Sequence, residues 1–338
     1  MKSNQSSGYF NPNNILFRGI NHFRPGGAFT GSTIPSKTLY RNGTYLVKLD
    51  DDGTKEFIGE VFESDFPDSI DVKITNNCNY GCLFCHESSI PGGKNCDTEK
   101  LLEKLGQLPD GVELALGGGN VLLHPDIKLI TDELRKKFIV NITLSENDYI
   151  NEKSKKTMQE IYQNINAVGK SVTNSCNRKI ETLRYFDIEF STMVKTEVIH
   201  TIIGVIQPDQ FEYICESSPK VLLLGFKQFG RGEKITIDKL DEWKKVVRKI
   251  KYQMNTKYNN LTLSFDNLAL EQLDLKSAFL KKDWDRFYLG DEFTHSMYLD
   301  AVNGEYAPTS RSPKSERVSW DGLDIITYFK NNHVRNTN

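Results

Sequence analysis

Short apolar runs alternate with helical periodicity between about residues 70 and 265. The series opens with Asp71-Val-Lys-Ile-Thr75, which reads as a strand. A helix is expected over 98–107, with Asp97 as N-cap and Leu101, Leu102, Leu105 and Leu108 on one face. It leads into a strand over 112–116 that ends in Gly117-Gly118-Gly119. The unit then recurs: helix 125–138 into strand 139–144, helix 152–164 into 165–168, and helix 177–186 into a segment ending at Ile206. Helix 208–217 precedes a strand over 220–225, and helix 236–254 turns Leu240, Trp243, Val246, Val247 and Ile250 inward. About six strand-helix repeats predict an α/β fold, a partial (β/α)6 barrel around a parallel sheet.

The flanks have a different texture. Residues 1–65 are rich in Gly, Asn, Pro and Ser, and carry strand-like runs at 38–49 and 56–62 joined through Asp50-Asp51-Asp52-Gly53, a hairpin signal. Beyond Leu261 the periodicity weakens, yet 297–302 and 305–308 around Asn303-Gly304 read as a second hairpin and 323–329 as a last short element. The expected organisation is an N-terminal extension with a β-hairpin (1–65), a barrel core (66–281) and a small C-terminal extension with a β-hairpin (282–338).

Composition narrows the function classes. The 338 residues are 26% charged and 38% hydrophobic with a net charge of −2, as in an ordinary globular protein. No block of Lys and Arg marks a nucleic-acid or anionic-membrane partner. No run approaches the roughly 20 apolar residues that span a bilayer, and the polar start lacks the apolar core of a signal peptide, so a cytoplasmic location is expected. Six cysteines are too sparse for a disulfide framework. Cys96, Cys176 and Cys215 are scattered, whereas Cys78, Cys82 and Cys85 crowd together and suggest metal binding in a reducing compartment.

The segment Asn77-Cys78-Asn79-Tyr80-Gly81-Cys82-Leu83-Phe84-Cys85 has the spacing C-x3-C-x2-C. Three thiolates on one tight loop suit three iron corners of a cubane and leave the fourth open to an exogenous ligand. A zinc knuckle completed by Cys96 or His86 is the rival reading of the same residues. With Phe84 before the last cysteine and strand 71–75 just upstream, the motif resembles that of the radical S-adenosylmethionine (SAM) superfamily.

That resemblance implies a [4Fe–4S] cluster, with SAM chelating the open iron through its amino and carboxylate groups. It also implies a one-electron reductant such as flavodoxin or ferredoxin. Reductive cleavage of SAM then yields a 5′-deoxyadenosyl radical that takes hydrogen from a small molecule, a nucleoside or a peptide. Gly117, Gly118 and Gly119 fall where the family has Gly-Gly-Glu, against the SAM amino group; the chain has Asn120 after them in place of a nearby glutamate. Ser145 with Asn147, and Ser171, are candidates for the ribose hydroxyls. Gly204, within the 200–206 segment, is a candidate for the adenine, and Lys227 for a carboxylate at the barrel mouth. His86 adjoins the last cysteine. No catalytic residue is assigned; Glu146, Asp266, Lys227 and Tyr298 are conceivable acids or radical donors. The absence of cysteine after Cys215 disfavours an auxiliary cluster in the C-terminal extension. The alternative from another class is a zinc-binding or catalytically inactive interaction module. Either hairpin offers an edge to which an extended peptide could add as a strand.

Overall fold

A computed structural model describes residues 15–17, 39–49, 55–59, 61–173, 196–281, 284, 288 and 290–333. The helix expected over 177–186 and Cys176 lie outside them. Six strands carry the repeat: β5 (Ser69–Thr75), β6 (Glu113–Gly118), β7 (Ile139–Ser145), β8 (Ala167–Ser171), β9 (Glu197–Ile202) and β10 (Lys220–Leu224). They lie side by side in chain order, each parallel to the next. The helices that return the chain are α1 (Thr98–Gly106), α2 (Ile127–Leu134), α3 (Glu152–Ile161), α4 (Pro208–Ser217) and α5 (Leu240–Tyr252). This is the partial barrel; the sheet runs on at both sides and does not close among the described residues.

Local chemistry sets these elements. Asp97 caps α1 by accepting from Lys100 N–H at 3.1 Å. Leu101, Leu105 and Leu108 on the inner face are fully buried, each contributing roughly 1.5–3 kcal/mol. α2 is shorter than the expected 125–138, because 135–138 turn off the helix end. The strand expected at 165–168 runs instead over Ala167–Ser171, its last residue paired with His200.

Two strands escape the sequence pattern. β11 (Thr262–Phe265) extends the parallel sheet beside β10, and β1 (Ile15–Phe17) lies parallel to β11. β12 (Ser296–Asp300) forms the expected hairpin with β13 (Glu305–Ala307), but it also lies parallel to β5 as a further strand of the central sheet. β14 (Val318–Ser319) follows, and α7 (Ile325–Asn332) occupies the last predicted element. The run 38–49 is not one strand: it breaks at Asn42-Gly43 into β2 (Leu39–Asn42) and β3 (Tyr45–Leu49), which with β4 (Lys55–Ile58) form a separate three-stranded antiparallel sheet. An Asn-Gly pair is itself a strong hairpin signal. Two large apolar clusters fill the outside of the barrel sheet, one behind β5–β8 and one behind β9–β11. The inner face is left to the site.

Candidate functional site

Alternate residues of successive strands face one cavity of about 380 Å³: Asp71 and Lys73, Ala115 and Gly117, Thr143 and Ser145, Ser171, His200 and Ile202, Leu222 and Leu224. The register places Lys73 opposite Gly117, Ser145 opposite Ser171, and Ser171 opposite His200. Strand alternation thus supplies a polar arc from β5 to β9 and an apolar one on β10.

Cys78, Cys82 and Cys85 line this cavity, half-buried on the loop after β5. The loop is held by its own backbone: Cys78 N–H donates to Ile90 O (3.0 Å), Asn76 N–H to Lys94 O (2.7 Å) and Cys85 N–H to Cys82 O (3.2 Å). Burial pushes the Cys78 and Cys82 thiols up, and the neighbouring cysteines add to it. Such crowded thiols are costly as free thiolates, a cost that bound metal relieves. Among the described residues, no three Cys, His, Asp or Glu side chains converge as the ligands of one bare ion would. Cys96 faces elsewhere, buried with Sγ 3.5 Å from His124 Nε2. Burial pushes its thiol up to about 12.

The glycines divide by task. A Cβ on Gly118 would lie 2.4 Å from Thr75 O, and one on Gly119 2.4 Å from Asn77 O; on Gly117 it would meet open space. Gly118 and Gly119 therefore let β6 press against the root of the cysteine loop, where Gly119 N–H donates to Thr75 O (2.7 Å) and Asn120 N–H to Asn77 O (2.8 Å). Gly117 leaves room in the cavity wall. A three-thiolate cluster with a ligand against this strand end fits these residues.

Asn120 is buried and turned to structure: its Nδ2 donates to Asp148 Oδ1 (2.7 Å) and its Oδ1 accepts from Leu122 N–H (3.0 Å). Asp148, which no motif marks, ties the site together. It accepts from Tyr80 of the cysteine loop, from Asn120, from Ser154 Oγ (2.8 Å) and from Ser145 N–H (3.0 Å). Its only local signal is its place after Asn147, in a polar strand end. Ser145 Oγ accepts from Asn147 N–H at 3.2 Å. Glu146 caps Thr173, taking both its N–H and its hydroxyl at 3.0 Å.

Gly204 is not on the fifth strand. It follows β9 in a turn at φ +79°, where a Cβ would approach Ile237 Cγ2 at 3.1 Å. Two side chains of this segment reach the cavity, His200 and Ile202, and the His200 ring fills the space of a missing Cβ: on Gly169 that atom would be 2.1 Å from His200 Cε1.

At the mouth, Lys227 Nζ donates to Ser310 Oγ (2.7 Å) and lies 3.5 Å from His86 Nε2. Burial, then Lys227, keeps His86 below its usual range. Asp266 is spent as a cap, accepting from Gly225 N–H (2.8 Å) and Ala269 N–H (2.7 Å), and burial raises its carboxyl. Tyr298 donates to Glu87 Oε1 (2.9 Å), and Glu87 pairs with Lys73 at 2.7 Å.

The sequence model of the Radical SAM superfamily matches residues 72–188. No curated protein sequence matches the chain. Among solved structures, Streptococcus suis SuiB bound to the precursor peptide SuiA aligns at a TM-score of 0.59 and 13% identity, over 79% of this chain and 65% of that one. SuiB bound to S-adenosylmethionine aligns at 0.56 and 14%, over 78% and 65%. The anSMEcpe protein with bound AdoMet aligns at 0.51 and 13%, over 77% of each chain. The chain thus spans about 65% of the length of SuiB, and at these identities the likeness is one of fold. Cysteine motif, family match and shared fold agree: residues 72–188 match the Radical SAM superfamily, a family whose cofactors are a [4Fe–4S] cluster and SAM.

Proposed function

We propose that this chain holds a [4Fe–4S] cluster on Cys78, Cys82 and Cys85, binds SAM against Gly117 and the polar arc of the barrel, and acts on a peptide. The carrying observation is three cysteines of one loop lining a cavity whose facing strand end is left open by Gly117. Held by Cys78, Cys82 and Cys85, a reduced cluster would supply the one electron for reductive cleavage of SAM, from which hydrogen abstraction from the substrate would follow.

The chain's own residues bind, orient and exclude water. Ser145 and Ser171 offer hydroxyls at the third and fourth strand ends, for the ribose. His200 takes the place proposed for Gly204 beside the adenosyl group, because it is the polar side chain of that segment facing the cavity. Lys227 presents a cation to a carboxylate, of SAM or of substrate. Gly118, Gly119 and Asn120 hold the loop and strand in register. Leu222, Leu224 and Phe226 supply the dry wall that shields a radical from solvent hydrogen donors. A peptide substrate is supported by the SuiB complex with its precursor peptide, a protein of like fold.

The test is anaerobic reconstitution with iron and sulfide, reduction with dithionite, and assay of 5′-deoxyadenosine in wild type and Cys82→Ala. Product in the wild type alone is expected; a colourless wild-type protein holding stoichiometric zinc sinks the reading in favour of a binding module. For the substrate class, deuterium is expected in 5′-deoxyadenosine from a deuterated peptide pool. Its arrival only from a deuterated small-metabolite extract would overturn the peptide assignment.

A further inference from the structure

The segment that follows β10 returns across the barrel and lies on the cysteine loop. Arg231 makes the contact with three donors: its backbone N–H donates to Cys85 O (3.1 Å), Nε to Cys82 O (2.8 Å) and Nη1 to Ser89 O (2.8 Å). Three carbonyls spread over 82–89 are thus gathered on one residue. The glycines on either side make the approach feasible. A Cβ on Gly230 would sit 2.5 Å from His86 O and 2.9 Å from Cys85 O, and one on Gly232 would lie 3.1 Å from Phe84 O.

Arginine is the residue usually matched to a carboxylate fork. Here, among the described residues, no carboxylate forms an ion pair with Arg231, and its fork is spent on neutral carbonyls. Its charge is therefore carried onto the cysteine loop itself, with Nε 2.8 Å from Cys82 O.

We propose that Gly230-Arg231-Gly232 is a clasp for the cluster loop, with Arg231 a positioning residue that fixes the loop carrying Cys82 and Cys85 and eases reduction of the cluster they hold. The proposal rests on the cluster reading above. Reduction would add one negative charge to a group held by thiolates, so a fixed positive charge on the loop that holds it would favour the reduced state. The electron itself comes from the one-electron reductant. Outer contacts of this kind carry tenfold to hundredfold effects on metal retention in other sites.

The experiment compares reconstituted wild type with Arg231→Lys, Arg231→Gln and Arg231→Met by redox titration followed by electron paramagnetic resonance. In parallel, loss of the brown absorbance is timed under chelator, and melting of the apo-proteins reports folding separately. Arg231→Gln and Arg231→Met are expected to make reduction roughly tenfold less favourable, a fall of about 59 mV for a one-electron couple. Arg231→Lys, which keeps the charge and loses the fork, should hold its potential near the wild-type value while releasing iron about tenfold faster. A Lys variant as low in potential as Gln overturns the charge role. A Met variant with wild-type potential and wild-type iron release overturns the clasp altogether. A wild type that forms no cluster overturns the cluster reading, and the clasp with it.

Discussion

A methyl group at position 118 would sit 2.4 Å from the Thr75 carbonyl oxygen, on a backbone at φ +109°, and a methyl group at 119 would sit as close to the Asn77 carbonyl. The same methyl at 117 would touch nothing within 4 Å. Alanine at 118 or 119 is therefore expected to cost the apo-protein about 1–3 kcal/mol, by overpacking against a backbone that cannot yield. Gly117→Ala should melt with the wild type and instead weaken SAM binding, by narrowing the cavity wall. Thermal melts and SAM titration of the three variants separate these outcomes; equal destabilisation by all three would refute the division. The sequence presents the triplet as one feature. What divides it is the position of two carbonyls on the preceding strand and loop, which no local pattern can place. Asp148 was illegible for a related reason, since an acid among Asn147 and Tyr149 reads as a loop residue until its four donors are brought to it from the cysteine loop, Asn120, β7 and α3.

Elements that meet across long stretches of chain are joined by charge as well as by pairing. Lys73 on β5 lies 2.7 Å from Glu87 on the cysteine loop and 3.2 Å from Asp300 at the end of β12; Arg317, just before β14, lies 3.2 Å from the same Asp300 oxygen. All but Arg317 are under 10% exposed at the side chain, so breaking the set by one partner costs about 3 kcal/mol. Burial would raise the Glu87 carboxyl, but His86 and Lys73 together hold it well below the usual range. A carboxyl depressed in the folded state stabilises above its unfolded pKa of about 4.3, and that stability is lost as pH falls toward the folded value. Denaturant midpoints of the apo-protein should accordingly show a wide gap between wild type and Glu87→Gln at pH 7 that narrows between about pH 5 and pH 3. A gap independent of pH would mean that Glu87 acts through packing alone. Pairing of β12 with β5 joins residues 296–300 to 69–73, a separation at which sequence periodicity carries no information about neighbours. β11 is missed because four residues between α5 and α6 (Asn267–Gln272) are too few to establish a period. The repeats from β5 to β10 are legible because, among the described residues, β5, β6, β7, β9 and β10 are each followed by a helix.

At the scale of the whole molecule, the barrel gives the cysteine loop two sides. Its inner side faces the cavity; its outer side carries Leu83, 77% exposed, with Ile90 at 57% and Phe229, next to the Arg231 clasp, at 44%. Arg231 holds Cys82 O and Ser89 O at once, the carbonyls just before Leu83 and Ile90, and Phe229 lies two residues before it. These apolar side chains stand in water on and beside the loop that carries the proposed cluster ligands. If the proposed cluster is held there, a one-electron reductant would need a short path to it and only a transient complex, with an interface at the small end of the range. Ile90→Ser with Phe229→Ser is therefore expected to slow 5′-deoxyadenosine formation about tenfold when flavodoxin or ferredoxin delivers the electron, the loss of roughly 1.4 kcal/mol of docking. Dithionite, too small to need the surface, should give the wild-type rate and the same cluster potential. Equal slowing with both reductants would show that these side chains support the loop instead, and would move the point of electron entry to another part of the surface.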